Sequence, residues 1–115
     1  MATPSPLYKT DKYTGQSVPF TRQSSYINTY ILAAGGNVSI TTPTDANYCA
    51  ISSNVNNTII KFGGSITAAP TANITNGTGP VIVGAYNRTF FDISNITTIG
   101  VFSATACTVT VEFFA

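Results

Sequence analysis

The sequence predicts an all-β protein, a β-sandwich of about eight short strands, jelly-roll-like in its connections and preceded by an extended N-terminal arm. Three observations carry this reading. Short segments alternate apolar with polar residues, most clearly near the C-terminus. Clusters rich in Gly, Pro and Asn separate these segments at intervals of about 8 to 12 residues. No stretch carries apolar residues at the spacing that gives a helix one buried stripe.

Residues 1–23 stand apart from the rest. They hold Pro4, Pro6 and Pro19, and four of the nine charges, Lys9, Asp11, Lys12 and Arg22. Proline removes ladder donors and favours extended chain, so this segment is expected to form neither a helix nor a central strand. Aromatic residues and Arg are enriched at protein interfaces. Tyr8, Lys9, Lys12, Tyr13, Phe20 and Arg22 are therefore the expected partner-docking residues of the arm. Residues 24–115 form the expected sandwich domain.

Within that domain the first strand spans 25–33, where Tyr26, Asn28, Tyr30 and Leu32 alternate with Ile27, Thr29 and Ile31. Gly35, Gly36 and Asn37 tolerate the positive φ of a turn, and Val38 and Ile40 then mark a second strand. Segments 48–52, 58–62, 81–83, 88–93, 97–103 and 106–114 complete the set. In the last, Cys107, Val109, Val111 and Phe113 are expected to face a core, with Thr108, Thr110 and Glu112 outside or in a subunit contact. The long stretch 63–80, rich in Thr, Ala, Gly, Asn and Pro, reads as a surface loop crossing between sheets.

Charge is scarce. Charged residues make up 8% of the 115-residue chain and the net charge is +1, against about 25% charged in an ordinary soluble domain. The balance gives no electrostatic reason to expect nucleic acid or an anionic membrane as partner. No apolar run approaches the roughly 20 residues that cross a bilayer, and the N-terminal residues lack the pattern of a cleaved signal peptide. A cytosolic site of synthesis is expected. Polarity comes from Thr, Ser and Asn, which cost less to desolvate than ions. Such a surface suits association, and closed symmetry favours a homotrimer among small rings.

Catalytic chemistry has little to work with. The chain contains no His, so a Ser or Cys nucleophile lacks its usual base. The acidic residues are Asp11, Asp45, Asp92 and Glu112. Asp92 with Glu112 is the one pair that resembles a glycosidase couple, weighed against solvated or salt-bridged strand residues, which is the favoured reading. Gly77–Pro80 lacks the spacing of a phosphate loop, and Asp45 with Asn47 lacks that of a calcium loop. Neither Cys49 nor Cys107 belongs to a metal-binding pair. Buried free thiols are favoured over a disulfide. Six N-x-[ST] sequons, at Asn37, Asn56, Asn73, Asn76, Asn87 and Asn95, follow from the high Asn and Thr content. The chain is accordingly expected to be no enzyme and to use no cofactor or metal.

The pattern over about residues 38–114 resembles the small β-rich virion proteins of tailed bacteriophages. The stretches that carry the resemblance are 46–52, the Phe-Gly-Gly turn within 60–64, the connection 77–80, the aromatic strand 88–93, and the pair 99–104 and 109–114. The resemblance implies a virion structural protein, a capsid decoration or cement protein that binds the major capsid protein or other virion proteins. The alternative it implies is the receptor- or glycan-binding head of a fibre. The implied location is the virion, after synthesis in the host cytoplasm.

Overall fold

A computed structural model describes residues 3–4, 8–10, 17–19 and 24–115, the segments 8–10 and 17–19 as backbone only. The described residues are all-β, and residues 24–115 form two four-stranded antiparallel sheets facing one another. In chain order the strands are β1 (Tyr8–Thr10), β2 (Ser17–Pro19), β3 (Tyr26–Leu32), β4 (Gly36–Thr41), β5 (Tyr48–Ser53), β6 (Thr58–Phe62), β7 (Val81–Val83), β8 (Thr89–Asp92), β9 (Thr98–Ser103) and β10 (Cys107–Phe114). One sheet has the order β3-β10-β5-β8 and the other β4-β9-β6-β7. The pairs are nested: β3 with β10, β4 with β9, β5 with β8, and β6 with β7.

Successive strands from β3 to β10 change sheet at every connection except one. The exception is the loop 63–80, which joins β6 to its own neighbour β7. The expectation that this loop crosses between sheets is therefore corrected. Its length reflects a path over the outward side of its own sheet. An added Cβ at Gly100, outward on β9, would lie 2.7 Å from the Gly64 carbonyl oxygen and 2.9 Å from the Ile66 nitrogen. The absence of a side chain at Gly100 lets the loop backbone lie directly on the strand. Gly63, at φ +82, makes the left-handed turn that starts that path.

The core follows the period-two alternation. On β10, Val109, Val111 and Phe113 are fully buried and face Ile60, Ile99 and Val101 of the other sheet within one apolar cluster. On β3 the inward residues are Tyr26, Asn28, Tyr30 and Leu32, while Ile27 and Ile31 point outward. Tyr26 meets Phe113 edge-on, with ring centroids 5.6 Å apart. Phe62 of one sheet packs on Phe91 of the other at 4.9 Å. Such aromatic contacts add to the area they bury.

Both cysteines are free and buried. Cys49 pairs in register with Phe113, and Cys107 with Leu32. The two lie six residues apart along the β10 ladder, about 20 Å at strand rise. A disulfide requires Cα atoms within about 7 Å.

The chain enters the sandwich at Ser24. Its hydroxyl donates to the Phe113 carbonyl and accepts from the Tyr26 N–H at 2.9 Å. Before it, Tyr8–Thr10 pairs antiparallel with Ser17–Pro19. The two segments of the arm thus run antiparallel to one another as a short ladder. A two-stranded ladder tolerates Pro19 because a pair has an open edge on each side.

Phe113→Ala removes a ring that is fully buried between the sheets and should cost about 3–5 kcal/mol in urea denaturation. A loss below about 1 kcal/mol would mean that the inward face of β10 has been misassigned.

Candidate functional site

Two outward surfaces differ in character. The outward side of β3-β10-β5-β8 carries short hydroxyl residues at its centre and two exposed isoleucines, Ile27 and Ile31, on β3. Thr110 stands opposite Thr29 on β3 and Ser52 on β5, and Thr108 opposite Ile31. One end of this face is covered by the chain's own side chains. Arg88 donates from Nε to Glu112 Oε2 at 2.5 Å and from Nη2 to Oε1 at 3.0 Å. Its guanidinium lies 4.8 Å from the Phe90 ring centre and 5.8 Å from that of Phe114. Ala50, between Glu112 and Phe90 in the ladder, is the short side chain beneath them.

Glu112 is therefore 9% exposed and Phe114 fully buried. Glu112 points outward as alternation predicted, and there it takes the salt-bridged form, enclosed by a bidentate ion pair and the rings beside it. The glycosidase pairing fails. Glu112 has both oxygens on Arg88, and Asp92 Oδ1 accepts from the Ser94 N–H at 2.9 Å. The backbone and side-chain bonds from Ser94 hold the Asp92 carboxyl below its usual range. Among the described residues no three His, Cys, Asp or Glu side chains converge as metal ligands. No buried side-chain polar atom there lacks a partner.

Beside the ion pair lies an open cleft of about 350 Å³, bordered by Ser52, Asn54, Tyr86, Arg88, Thr108 and Thr110. Asn54 extends the β5–β10 ladder: its N–H donates to the Thr108 carbonyl at 3.3 Å, and its Oδ1 accepts from the Thr108 N–H at 2.9 Å. The link from β7 to β8 is pinned across β5. The Tyr86 N–H donates to Ser53 O at 2.7 Å, and the Ala85 N–H to Asn56 Oδ1 at 2.9 Å. Tyr86 sits at φ 58 and is 82% exposed. A bulky residue rarely adopts that backbone.

On the other sheet β4 presents Asn37, Ser39 and Thr41 outward, and the apolar part is confined to the β6–β7 end. Ile59 and Ile82, opposite one another in register, line a groove of about 270 Å³ with Pro70, Ala72, Ile74 and Pro80 of the long loop. Ile82 is 64% and Ile74 46% exposed. No charged residue occurs between Lys61 and Arg88. The sequence reading did not single out this patch, although that uncharged run was its signal.

Of the six arm residues expected to dock a partner, Tyr8 and Lys9 fall in β1, described as backbone only. Lys12, Tyr13, Phe20 and Arg22 lie outside the described residues, as does Asp11. Near the start of the arm, Pro4 is buried, and the Thr3 carbonyl accepts from Ser25 Oγ at 3.0 Å. Thr3 and Pro4 border a cleft with Tyr26, Thr42, Pro43 and Asp45, so these two residues lie against the sandwich itself. Comparison with protein-family models, with curated proteins and with solved structures finds no match to this chain.

Arg88→Met keeps an apolar stem over Phe90 and leaves Glu112 enclosed without its counter-charge. It should cost about 1–3 kcal/mol, between the values for exposed and buried pairs. Adding Glu112→Gln should recover part of the loss in the same denaturation measurement. Burial also pushes the Cys49 thiol from 9.0 up to about 12. Below pH 9 the thiol is protonated in both states; above it the unfolded chain ionises first, so folding stability falls as pH rises toward 12. Between pH 8 and 10.5 the protein should lose on the order of 2 kcal/mol more than Cys49→Ala does. Equal losses in the two proteins would remove Cys49 as the source.

Proposed function

We propose that the chain is a virion structural protein of a tailed bacteriophage, a capsid decoration or cement protein that binds its shell through protein–protein contacts. The observation that carries the reading is the uncharged apolar patch around Ile74 and Ile82. Exposed branched aliphatic side chains gathered in one groove mark surfaces that another protein covers. The sparse charge of the whole chain supports the same conclusion, since little else keeps such surfaces apart.

The strand order supports it at the level of fold. The nested pairing of eight strands across two sheets supports a jelly-roll reading, an architecture that recurs in viral capsid domains. That is an analogy of architecture, whereas the patch is a property of this chain. On this reading the protein stabilises the shell by mass action, since a ligand that binds only the assembled form favours it. Several copies acting together gain through effective concentration, and a homotrimer is the proposed unit. The arm residues Tyr8, Lys9, Lys12, Tyr13, Phe20 and Arg22 would add a second contact, on the strength of their chemistry.

The double variant Ile74→Asp, Ile82→Asp tests the reading. Both side chains are exposed, so stability should change by no more than about 0.5 kcal/mol per site. Sedimentation should show a lighter species than wild type, and co-sedimentation with purified phage particles should fall at least tenfold. Unchanged attachment and unchanged sedimentation would overturn the proposal.

A further inference from the structure

Tyr86 contributes little to its own fold. Its ring is 82% exposed, and its backbone occupies the left-handed region at φ 58. Only Gly, and occasionally Asn or Asp, visits that region readily. The conformation is held from outside by the bonds that Ser53 O and Asn56 Oδ1 receive from the Tyr86 and Ala85 N–H groups, and by the bridge between Ser53 and Ala85. A strained backbone that its surroundings over-determine, carrying an aromatic ring out into solvent, directs attention to what the ring meets.

The ring borders the cleft of about 350 Å³ described above, at the lower end of the range of small-ligand sites. The cleft floor offers the hydroxyls of Ser52, Thr108 and Thr110, and beside them the side-chain amide of Asn54. Asn54 Oδ1 is taken by the Thr108 N–H, which turns Nδ2 into the donor that Asn54 can offer. Among the described residues Arg88 is the one charged group on the border, and Glu112 balances it with both carboxylate oxygens. The site therefore joins an exposed aromatic face to several neutral donors and acceptors, with no net charge.

That combination selects a ligand class. A nucleic acid strand could stack on the ring, but its phosphates require uncompensated cations. A purely apolar ligand would strip water from the hydroxyls and return no hydrogen bonds. A pyranose presents an apolar C–H face to one side and hydroxyls around its rim, which matches a ring flanked by hydroxyl and amide groups. We propose that the Tyr86 cleft binds a short neutral oligosaccharide, stacked on Tyr86 and hydrogen-bonded by Ser52, Asn54 and Thr110. The cleft lies on the outward side of the other sheet from the apolar patch, so this proposal does not depend on the virion reading.

The test is saturation-transfer NMR on the full chain with cellohexaose, maltohexaose and the hexamer of N-acetylglucosamine, and with sialyllactose as the charged comparison. Transfer to at least one neutral hexamer is expected, with little to sialyllactose. Tyr86→Gly should abolish it or weaken it at least tenfold, while the melting temperature stays the same or rises, because Gly adopts positive φ without strain. Tyr86→Asn, which also tolerates that backbone, should behave likewise. Tyr86→Phe should retain binding, and Thr110→Val should weaken it severalfold. Transfer to none of the neutral hexamers, preference for sialyllactose, or full binding by Tyr86→Gly would each overturn the proposal. The Ile74→Asp, Ile82→Asp variant should bind saccharide as wild type does, which keeps failure of this site distinct from failure of the docking patch.

Discussion

Strand β10 is the member on which the rest of the sandwich depends. It is bonded along one edge to β3 and along the other to β5, so two of the three ladders in its sheet close on it. Its inward residues Val109, Val111 and Phe113 are fully buried. The carbonyl of Phe113 also receives the hydroxyl of Ser24, where the chain enters the domain. β10 meets partners 75 to 87 residues earlier in β3 and 56 to 66 residues earlier in β5, so neither ladder closes locally. Contacts of such long sequence separation carry a loop-closure cost that local helical contacts avoid.

Period-two alternation made most of this legible in the sequence. Strands 58–62 and 81–83 have their expected limits, and the others differ at their ends by a residue or two. Such ends depend on single hydrogen bonds, which alternation does not encode. On β3 the same period separated Tyr26, Asn28, Tyr30 and Leu32 from Ile27 and Ile31 without saying which set faces the core, and the structure turns the less hydrophobic set inward. The path of the loop 63–80 was not legible. Composition marks a loop as a loop but says nothing about which strand it rejoins. The decisive residue was Gly100, a glycine inside a strand, where close approach of another backbone is one of the few explanations.

The enclosure of Glu112 has a sequence signal that alternation alone hides. Adjacent residues on a strand face opposite sides, so a doubled phenylalanine sends one ring to each. Phe90-Phe91 and Phe113-Phe114 do this: Phe91 and Phe113 enter the interior, while Phe90 and Phe114 stay outside and lie 5.9 Å apart. Two large rings on an outward face need cover, and Arg88 supplies it with a planar charged group that stacks on both. Once over the rings, the guanidinium meets Glu112 at the neighbouring register position. The ion pair is thus a consequence of two aromatic doublets, and it neutralises the cation that borders the Tyr86 cleft among the described residues.

That neutralisation separates the two proposed surfaces chemically. The groove on one outward face is lined by branched aliphatic side chains and a proline-rich loop, with few hydrogen-bonding side chains to desolvate, so covering it with protein costs little. The other holds hydroxyls and an amide that must keep their hydrogen bonds, so only a partner rich in donors and acceptors can replace their water. A protein surface laid flat over the second face would leave some of those groups unpaired, whereas a small hydroxylated ligand can turn to satisfy each. The same scarcity of charge that permits association on the first face therefore sets selectivity on the second. An ion at either site would change it: at the patch by adding a desolvation cost, and in the cleft by admitting anionic ligands that the Arg88–Glu112 pair now leaves without a partner.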